Sequence, residues 1–344
     1  MGAVTRPRKS VIFGYGEAGT RDSVCAWWAD FWMITVSEES AVDFESTARI
    51  ATEAFGSKDV VFSPPRMKWL YERGFGQGSA VVGAFDDGRK VGQIVLLHQK
   101  VCLDGEPVIA TQLIDLFILQ AYRSPTLVRR LYKEVERLCE AKNIRVVITL
   151  PNENSALLNA RFLKLRPFLS VPARVGISLG RPSRARLKFS ALVKAMPGDE
   201  AIERLSGFVT PVTENGPHWD AATLFDRISD PTCEYAIHAT ENLMLVSSSR
   251  KTRGISHALL CGFFARAGAT VASGDIRTLI RAACHLWRHH VFVYAGLNKS
   301  LPHLPGFALP ERLRPPILVQ LRDSASTETG PRFDRFQLTD SDFV

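Results

Sequence analysis

Between residues 79 and 119 the chain sets three apolar runs in succession with no helical segment between them: SAVVGAF, KVGQIVLLHQKVCL and VIATQLIDLFIL. Val, Ile and Phe suit the pleated, half-buried surface of a sheet. The first two runs meet at Asp86-Asp87-Gly88, residue types that accept the positive φ of a tight hairpin turn. The third run is apolar at most positions, which predicts a strand buried on both faces. Three consecutive strands without a crossover helix exclude a doubly wound parallel sheet.

Around this block the hydrophobic period switches. In SPTLVRRLYKEVERLCEAKN, Leu127, Leu131, Val135 and Leu138 fall on one stripe of a helix, with Arg129, Arg130, Lys133 and Glu134 off it. Pro125 fits the first turn and Ser124 the cap. Upstream, Trp32–Val36 reads as a strand. Val42, Ile50 and Ala54 mark a helix within 40–55, and RMKWLYERG is a helical turn before the loop GFGQGS. Downstream come a strand (RVVITL), a helix (PNENSALLNARFLKL) and apolar strand candidates in FLSVPARVGISL. The fold class is α/β (α+β): a mixed central sheet flanked by helices.

A second, smaller unit follows, with strands EYAIHAT, ENLMLVSS, HALLCGFF, VFVYAG and PPILVQLR and a helix DIRTLIRAACHLW. Its order echoes the later part of the first unit and suggests a duplicated architecture. The expected organisation is an N-terminal extension (1–31), a first domain (32–180), a basic linker (181–206), a second α/β lobe (207–322) and a polar tail (323–344) carrying Phe333, Phe336 and Phe343.

The net charge of +8 comes from one place: residues 161–194 hold nine Lys or Arg and no acid. Aromatic interleaving there is thin (Phe162, Phe168, Phe189), so nucleic acid is not the expected partner. No apolar run approaches the roughly 18 residues of a membrane span. No signal-peptide core follows the basic N-terminal residues, and Arg6 stands where a myristoylation signal wants Ser or Thr. The six cysteines are scattered, as expected of reduced core thiols, and the location expected is cytoplasmic. His285 and His289 sit one helical turn apart, but no Cys or carboxylate stands at ligand spacing, so no metal is assigned.

The stretch LIDLFILQAYRSPTLVRRLYKEVERLCEAKNIRVVITLPNENS resembles motif A and the following strand of the GNAT superfamily of acyl-CoA N-acyltransferases. DDGRKVGQIVLL resembles that family's second and third strands, and ITVSEESAVDFESTARIATEAF its first strand and helix. The resemblance covers about residues 32–180, and the second lobe could be a divergent GNAT-like repeat. It implies acetyl-CoA or another acyl-CoA as co-substrate, with backbone amides and a helix N-terminus aimed at the pyrophosphate. By resemblance, Ile118, Leu119, Gln120, Arg123, Thr126, Leu127, Val128 and Arg129 form the cofactor loop, and Asn152, Asn154 and Asn159 contact pantetheine or substrate. The family loop reads Q/R-x-x-G-x-G/A; here Arg123 takes the first position, and Thr126 and Val128 replace glycines. Asp115 stands where a base would strip an ammonium. Phe162 or Leu163 takes the place of the usual tyrosine acid, leaving Tyr122 as the nearest candidate hydroxyl. The implied acceptor is a small amine or amino-acid-like molecule, and the chain could be a homodimer.

Two alternatives remain at this point. One is a GNAT-fold protein that binds without turnover. The other rests on Gly14-Tyr15-Gly16-Glu17-Ala18-Gly19, a GxGxxG match with acids about 20 residues on, which would make a nucleotide-dependent oxidoreductase. The helix-free block at 79–119 speaks against that fold, and the motif reads as a flexible turn in the extension.

Overall fold

The computed structural model describes residues 34–56, 62–209, 213–325 and 331–342. The GxGxxG motif and Cys25 lie outside the described residues. The first lobe opens with β1 (Thr35–Glu38), α1 (Phe44–Phe55) and α2 (Pro64–Glu72), followed by β2 (Ser79–Asp86), β3 (Arg89–Leu103) and β4 (Glu106–Ile118). The β2–β3 hairpin turns on Asp87 (φ 45°) and Gly88 (φ 77°), the two left-handed residues of the tight turn its sequence asks for. Next come α3 (Pro125–Ala141), β5 (Val146–Thr149), α4 (Glu153–Leu163) and β6 (Arg166–Val171). Ser124 caps α3 by accepting a hydrogen bond from the Leu127 amide. Leu127, Leu131, Val135 and Leu138 are each at most 1% exposed. At about 1.5–3 kcal/mol per buried aliphatic side chain, that stripe outweighs any intrinsic helix propensity.

The second lobe contains β7 (Ala173–Ile177), β8 (Phe189–Leu192), α5 (Gly198–Ser206), β9 (Gly216–Pro217), α6 (Ala221–Arg227) and β10 (Tyr235–Ala239). It continues with β11 (Leu243–Thr252), β12 (Ile255–Ala265), α7 (Ser273–Trp287), β13 (Val291–Asn298), β14 (Phe307–Ala308), β15 (Ile317–Asp323) and β16 (Arg335–Gln337). One sheet has the order β1-β2-β3-β4-β5-β15-β6, with β9 attached to β3. The other, read from β8, has the order β8-β10-β11-β12-β13-β7-β14, with β16 attached to β13. The two orders correspond position by position, and in each the fourth and fifth strands are parallel. The duplication suggested by the sequence is therefore an architectural one.

The correspondence holds only because the sixth strand of each sheet comes from the other side of the expected boundaries at 180 and 322. β15, near the end of the chain, is hydrogen-bonded between β5 and β6 of the first sheet. β7, one residue after β6, pairs with β13 and β14 of the second. Sheet membership thus departs from the sequence boundaries at 180 and 322. Pro172, lacking an amide, separates β6 from β7 and breaks the ladder between the sheets. The stretch read as a basic linker contains β8, an edge strand, and α5. The stretch read as a tail buries Phe333, Phe336 and Leu338 in the core.

Three apolar clusters hold the layers together. One lies under α3 and α4 on the outer face of the first sheet, and one lies under α7 on the outer face of the second. The largest lies between the sheets and takes in residues of α2, α6 and the C-terminal segment, among them Trp69, Leu224 and Phe336. Trp69 also donates its indole N–H to the Asp226 carbonyl across the lobes at 2.8 Å.

Candidate active site

The site grows from an irregularity in β4. Pairing with β3 shifts between Gln93 and Val95, so that Asp115 and Leu116 are accommodated by an extra residue in β4. Asp115 has φ 48°, a left-handed conformation that Asp tolerates better than most residues. Parallel pairing with β5 runs from Ala110–Val146 to Leu113–Thr149, and β4 then continues to Ile118. No described segment pairs with the β5-facing edge of β4 beyond Leu113.

Asp115 Oδ2 accepts a hydrogen bond of 2.6 Å from the Tyr71 hydroxyl, which in turn accepts one of 2.9 Å from Gln93 Nε2. Tyr71 comes from α2 and is 2% exposed, so it positions the carboxylate without meeting a ligand. Burial foremost raises the Tyr71 phenol well above its usual value, with the Asp115 charge adding to the shift. Asp115 is a residue of intermediate exposure whose carboxyl is surrounded by protein. Burial pushes its carboxyl up to about 6; the Tyr71 hydrogen bond and the Arg66 charge oppose the rise, and the nearby Asp342 reinforces it.

Both lobes and the C-terminal segment converge beside this carboxylate. Arg66 of α2 reaches Asp230 Oδ2 at 3.4 Å and donates to the Asp342 carbonyl at 3.3 Å. Arg227, 2% exposed, donates to the carbonyls of Thr339 (3.0 Å) and Ser341 (2.5 Å).

The loop from Ile118 to Arg129 joins β4 to α3. Ile118, Leu119 and Leu127 are buried, and Gln120, Thr126 and Arg129 are exposed. Many loop donors are spoken for: the amides of Leu119, Tyr122, Arg123 and Val128 bond carbonyls, and the Leu127 amide bonds the Ser124 hydroxyl. Arg123 donates to the carbonyls of Ile118 (3.0 Å) and Ala54 (2.7 Å), tying the loop to α1. Tyr122 donates to Asp86 at 2.7 Å, at the β2–β3 turn, so its hydroxyl is not directed to Asp115. Asn152 caps α4 through the amides of Asn154 and Ser155, and the Asn154 side chain is exposed. Asn159 is buried and accepts a 2.6 Å hydrogen bond from Tyr132, whose ring lies 5.2 Å from that of Phe162.

The sequence singles out Asp115 and the loop as candidates and gives no sign of the neighbours Tyr71, Gln93 and Arg66. Tyr71 and Arg66 share a helix whose apolar spacing carries no sign of their partners. A large cavity of about 1160 Å³ lies elsewhere, between the end of α3 and β15, and does not include Asp115.

The equivalent place in the second lobe is filled. Pairing of β12 with β13 ends at Leu260–Tyr294, and β16 lies along β13 from Gly296 to Asn298. The Gln337 side chain accepts from the Phe263 amide (2.8 Å) and donates to the Phe263 carbonyl (3.0 Å), as a neighbouring peptide group would. A Cβ built on Gly262 would come within 2.8 Å of the Thr339 hydroxyl, so the segment fits closely against β12.

Residues 36–157 match the family model of the acetyltransferase (GNAT) domain. No curated protein matches the chain. Among solved structures it is similar to a probable N-acyltransferase of Enterococcus faecalis, with 12% identity, a TM-score of 0.58, and coverage of 84% of this chain and 72% of that one. A GCN5-related N-acetyltransferase of Anabaena variabilis gives 10% identity, a TM-score of 0.57 and coverage of 84% and 72%. A tandem GNAT protein from the clavulanic acid biosynthesis pathway gives 10%, 0.54, and coverage of 86% and 100%. The family match thus falls within the first lobe, and the fold of the chain is similar to that of two-lobed GNAT structures.

Proposed function

We propose that the protein moves an acyl group from an acyl-CoA to the amine of a small acceptor, using the unpaired edge of β4 in the first lobe. The observation that carries this reading is Asp115, a buried carboxylate that reaches the cleft from a strand bulge. Ionised above about pH 6, Asp115 accepts a proton from the acceptor's ammonium, and Tyr71, itself held by Gln93, keeps Oδ2 in place. The free amine then attacks the thioester carbonyl, the C–S bond breaks, and the proton left on nitrogen departs with the sulfur. Tyr122 and Tyr132 are both engaged elsewhere, so neither is assigned as the acid.

The donor set at the β4–α3 loop fits an acyl-CoA with charge replacing a glycine cradle. The first turn of α3 carries no acid, and Arg129 and Arg130 have no ion-pair partner among the described residues. Gln120, Ala121, Ser124 and Thr126 keep amides outside the hydrogen bonds just described. The second lobe supports the match from another side: what fills its groove is an extended chain with an amide group, and the arm of CoA is an extended chain with amides. Thr126, Leu127 and Val128 stay in the assignment as residues that border the phosphates rather than cradle them.

A second reading, a GNAT-fold protein that binds without turnover, draws on the loop amides and Arg123 donors already bound within the protein. The two separate on one measurement series. Acetyl-CoA and longer acyl-CoAs are titrated against the purified protein by calorimetry, and thiol release is followed with a panel of amines. Binding with thiol release supports transfer; binding alone supports the second reading; no binding removes both. No helix among the described residues is long and apolar enough to cross a membrane. The five described cysteines are free, which suits the cytoplasmic location we assign. A homodimer belongs to the same proposal, and sedimentation velocity reads it.

A further inference from the structure

The β11–β12 end of the second sheet carries Arg250 opposite His257, and Arg250 has no ion-pair partner among the described residues. β15 runs antiparallel to β5, with Gln320 opposite Thr149, so Ile317 and the residues before it extend past the end of β5. Asp115 lies two residues beyond the Leu113–Thr149 pair, on that same edge of the first sheet. Arg314, exposed and three residues before β15, is therefore at this edge. It acts electrostatically on His257, which pairs directly with Arg250 across β11 and β12.

Arg250 is only half-exposed, and its contacts are a set of weak acceptors. It donates to Ser248 Oγ (3.1 Å), the Ser249 carbonyl (3.3 Å) and Cys233 Sγ (3.2 Å). No described carboxylate lies within ion-pair distance of Arg250 or Arg314, although Arg66 in the same region has Asp230. Tyr235, directly opposite Ser248, is 2% exposed, and its hydroxyl has no hydrogen-bond partner among the described residues. A buried hydroxyl left unpaired costs about 1–3 kcal/mol, and a partly desolvated guanidinium prefers a carboxylate or phosphate to neutral oxygens. The strand geometry connects this place to the cleft: Cys233 follows Asp230 by three residues, and Asp230 is the partner of Arg66.

We propose that Arg250, with Arg314 at the rim and the Tyr235 hydroxyl beside it, holds an anionic group of the acceptor. The acceptor is then an amine that also bears a carboxylate or phosphate, such as an amino acid or an aminoalkyl phosphate. The inference rests on the acyl-transfer reading for the amine end and on Arg250 for the anionic end. Guanidinium planarity suits two-point contact with either anion.

The test compares matched pairs: each standard amino acid against its decarboxylated amine, and aminoethyl phosphate against ethanolamine. Thiol release from acetyl-CoA gives kcat/KM for each, and calorimetry of the N-acetylated pairs measures binding without turnover. We expect the anionic member to be favoured about tenfold or more, the size of one charge-assisted contact. In Arg250→Gln the ratio should fall to near one, in Arg250→Lys it should recover in part, and in Arg314→Gln it should fall about threefold. Carboxylates and phosphates are told apart by which pair shows the larger ratio. Equal use or binding of the neutral members, no binding by any pair, or an unchanged ratio in a folded Arg250→Gln overturns the proposal. Acylation confined to neutral amines would overturn it and leave the transferase standing. Selective anion binding without any acyl-CoA binding would do the reverse.

Discussion

Beyond Leu113 the edge of β4 has no partner strand among the described residues, whereas the matching end of the β12–β13 pair beyond Leu260 is covered by the protein's own residues 335–340. The two lobes share strand order and parallel central pair, so the difference lies in what occupies the groove. In the second lobe the Phe263 amide and carbonyl are satisfied by the Gln337 side chain, with Asn298 also donating to the carbonyl. In the first lobe β5 ends at Thr149, and β4 runs on past it to Asp115, whose carboxyl is raised by burial to about 6. A splayed strand pair is a demand for backbone partners, and a duplicated fold can answer it once with its own chain and once with a ligand.

The comparison can be broken most severely at Asp115. Asp115→Asn should lower kcat/KM by about 10²–10⁴ at pH 8, the usual contribution of a general base. A fall of less than threefold would move the chemistry away from this groove. The second lobe offers the next largest effect. Gln337→Ala leaves the buried Phe263 amide without its acceptor and the carbonyl with Asn298 alone, and should cost about 1–3 kcal/mol in urea unfolding. Acyl-CoA should titrate to one equivalent per chain, and two equivalents would mean that the second groove can empty.

The protonation of Asp115 sharpens the contrast further. Its ionised form is the base, so kcat/KM should rise with pH through about 6 and then level. Stability runs the other way. The folded-state value is raised above the ordinary 3.8, so the contribution of this group is present below that value and is lost as pH rises through about 6. Asp115→Asn should therefore gain about 2 kcal/mol over the parent between pH 4 and pH 8, by denaturant unfolding at both. The smallest effect is expected at Tyr71. Tyr71→Phe removes the hydrogen bond that holds the carboxyl down, and the acidic limb of the rate profile should move up by about half a unit to one unit. A limb that stays in place would mean that the phenol plays no part in setting this carboxylate.

Much of the first lobe was legible in the chain because its signals are local. Asp87-Gly88 dictates a turn, Ser124 caps a helix, and the Leu127–Leu138 stripe points one way whatever lies beneath it. The site was legible only where it lay on such elements. Asp115 could be placed on its strand, but Tyr71 is 44 residues away, and nothing in its helix announces the partner. Arg123 is drawn to the carbonyls of Ile118 and Ala54, and Tyr122 to Asp86, by neighbours that fold against them from other elements. Asn159 offers an amide that Tyr132 takes first. The basic stretch looked like a linker because short edge strands such as β8 carry too few apolar residues to show a period.

The placement of β7 and β15 also bears on how the molecule can come into being. The first sheet lacks its sixth strand until residues 317–323 have been made, and the second draws its own from residues 173–177. The first sheet cannot complete its hydrogen-bond ladder from a contiguous stretch of chain, so a ribosome must release nearly the whole polypeptide before the first lobe closes. Ladders closed over such sequence separations form slowly and leave edges exposed meanwhile, which makes the nascent chain a natural client of chaperones. It also means that cutting between β6 and β7 leaves the first fragment without a strand that the other holds.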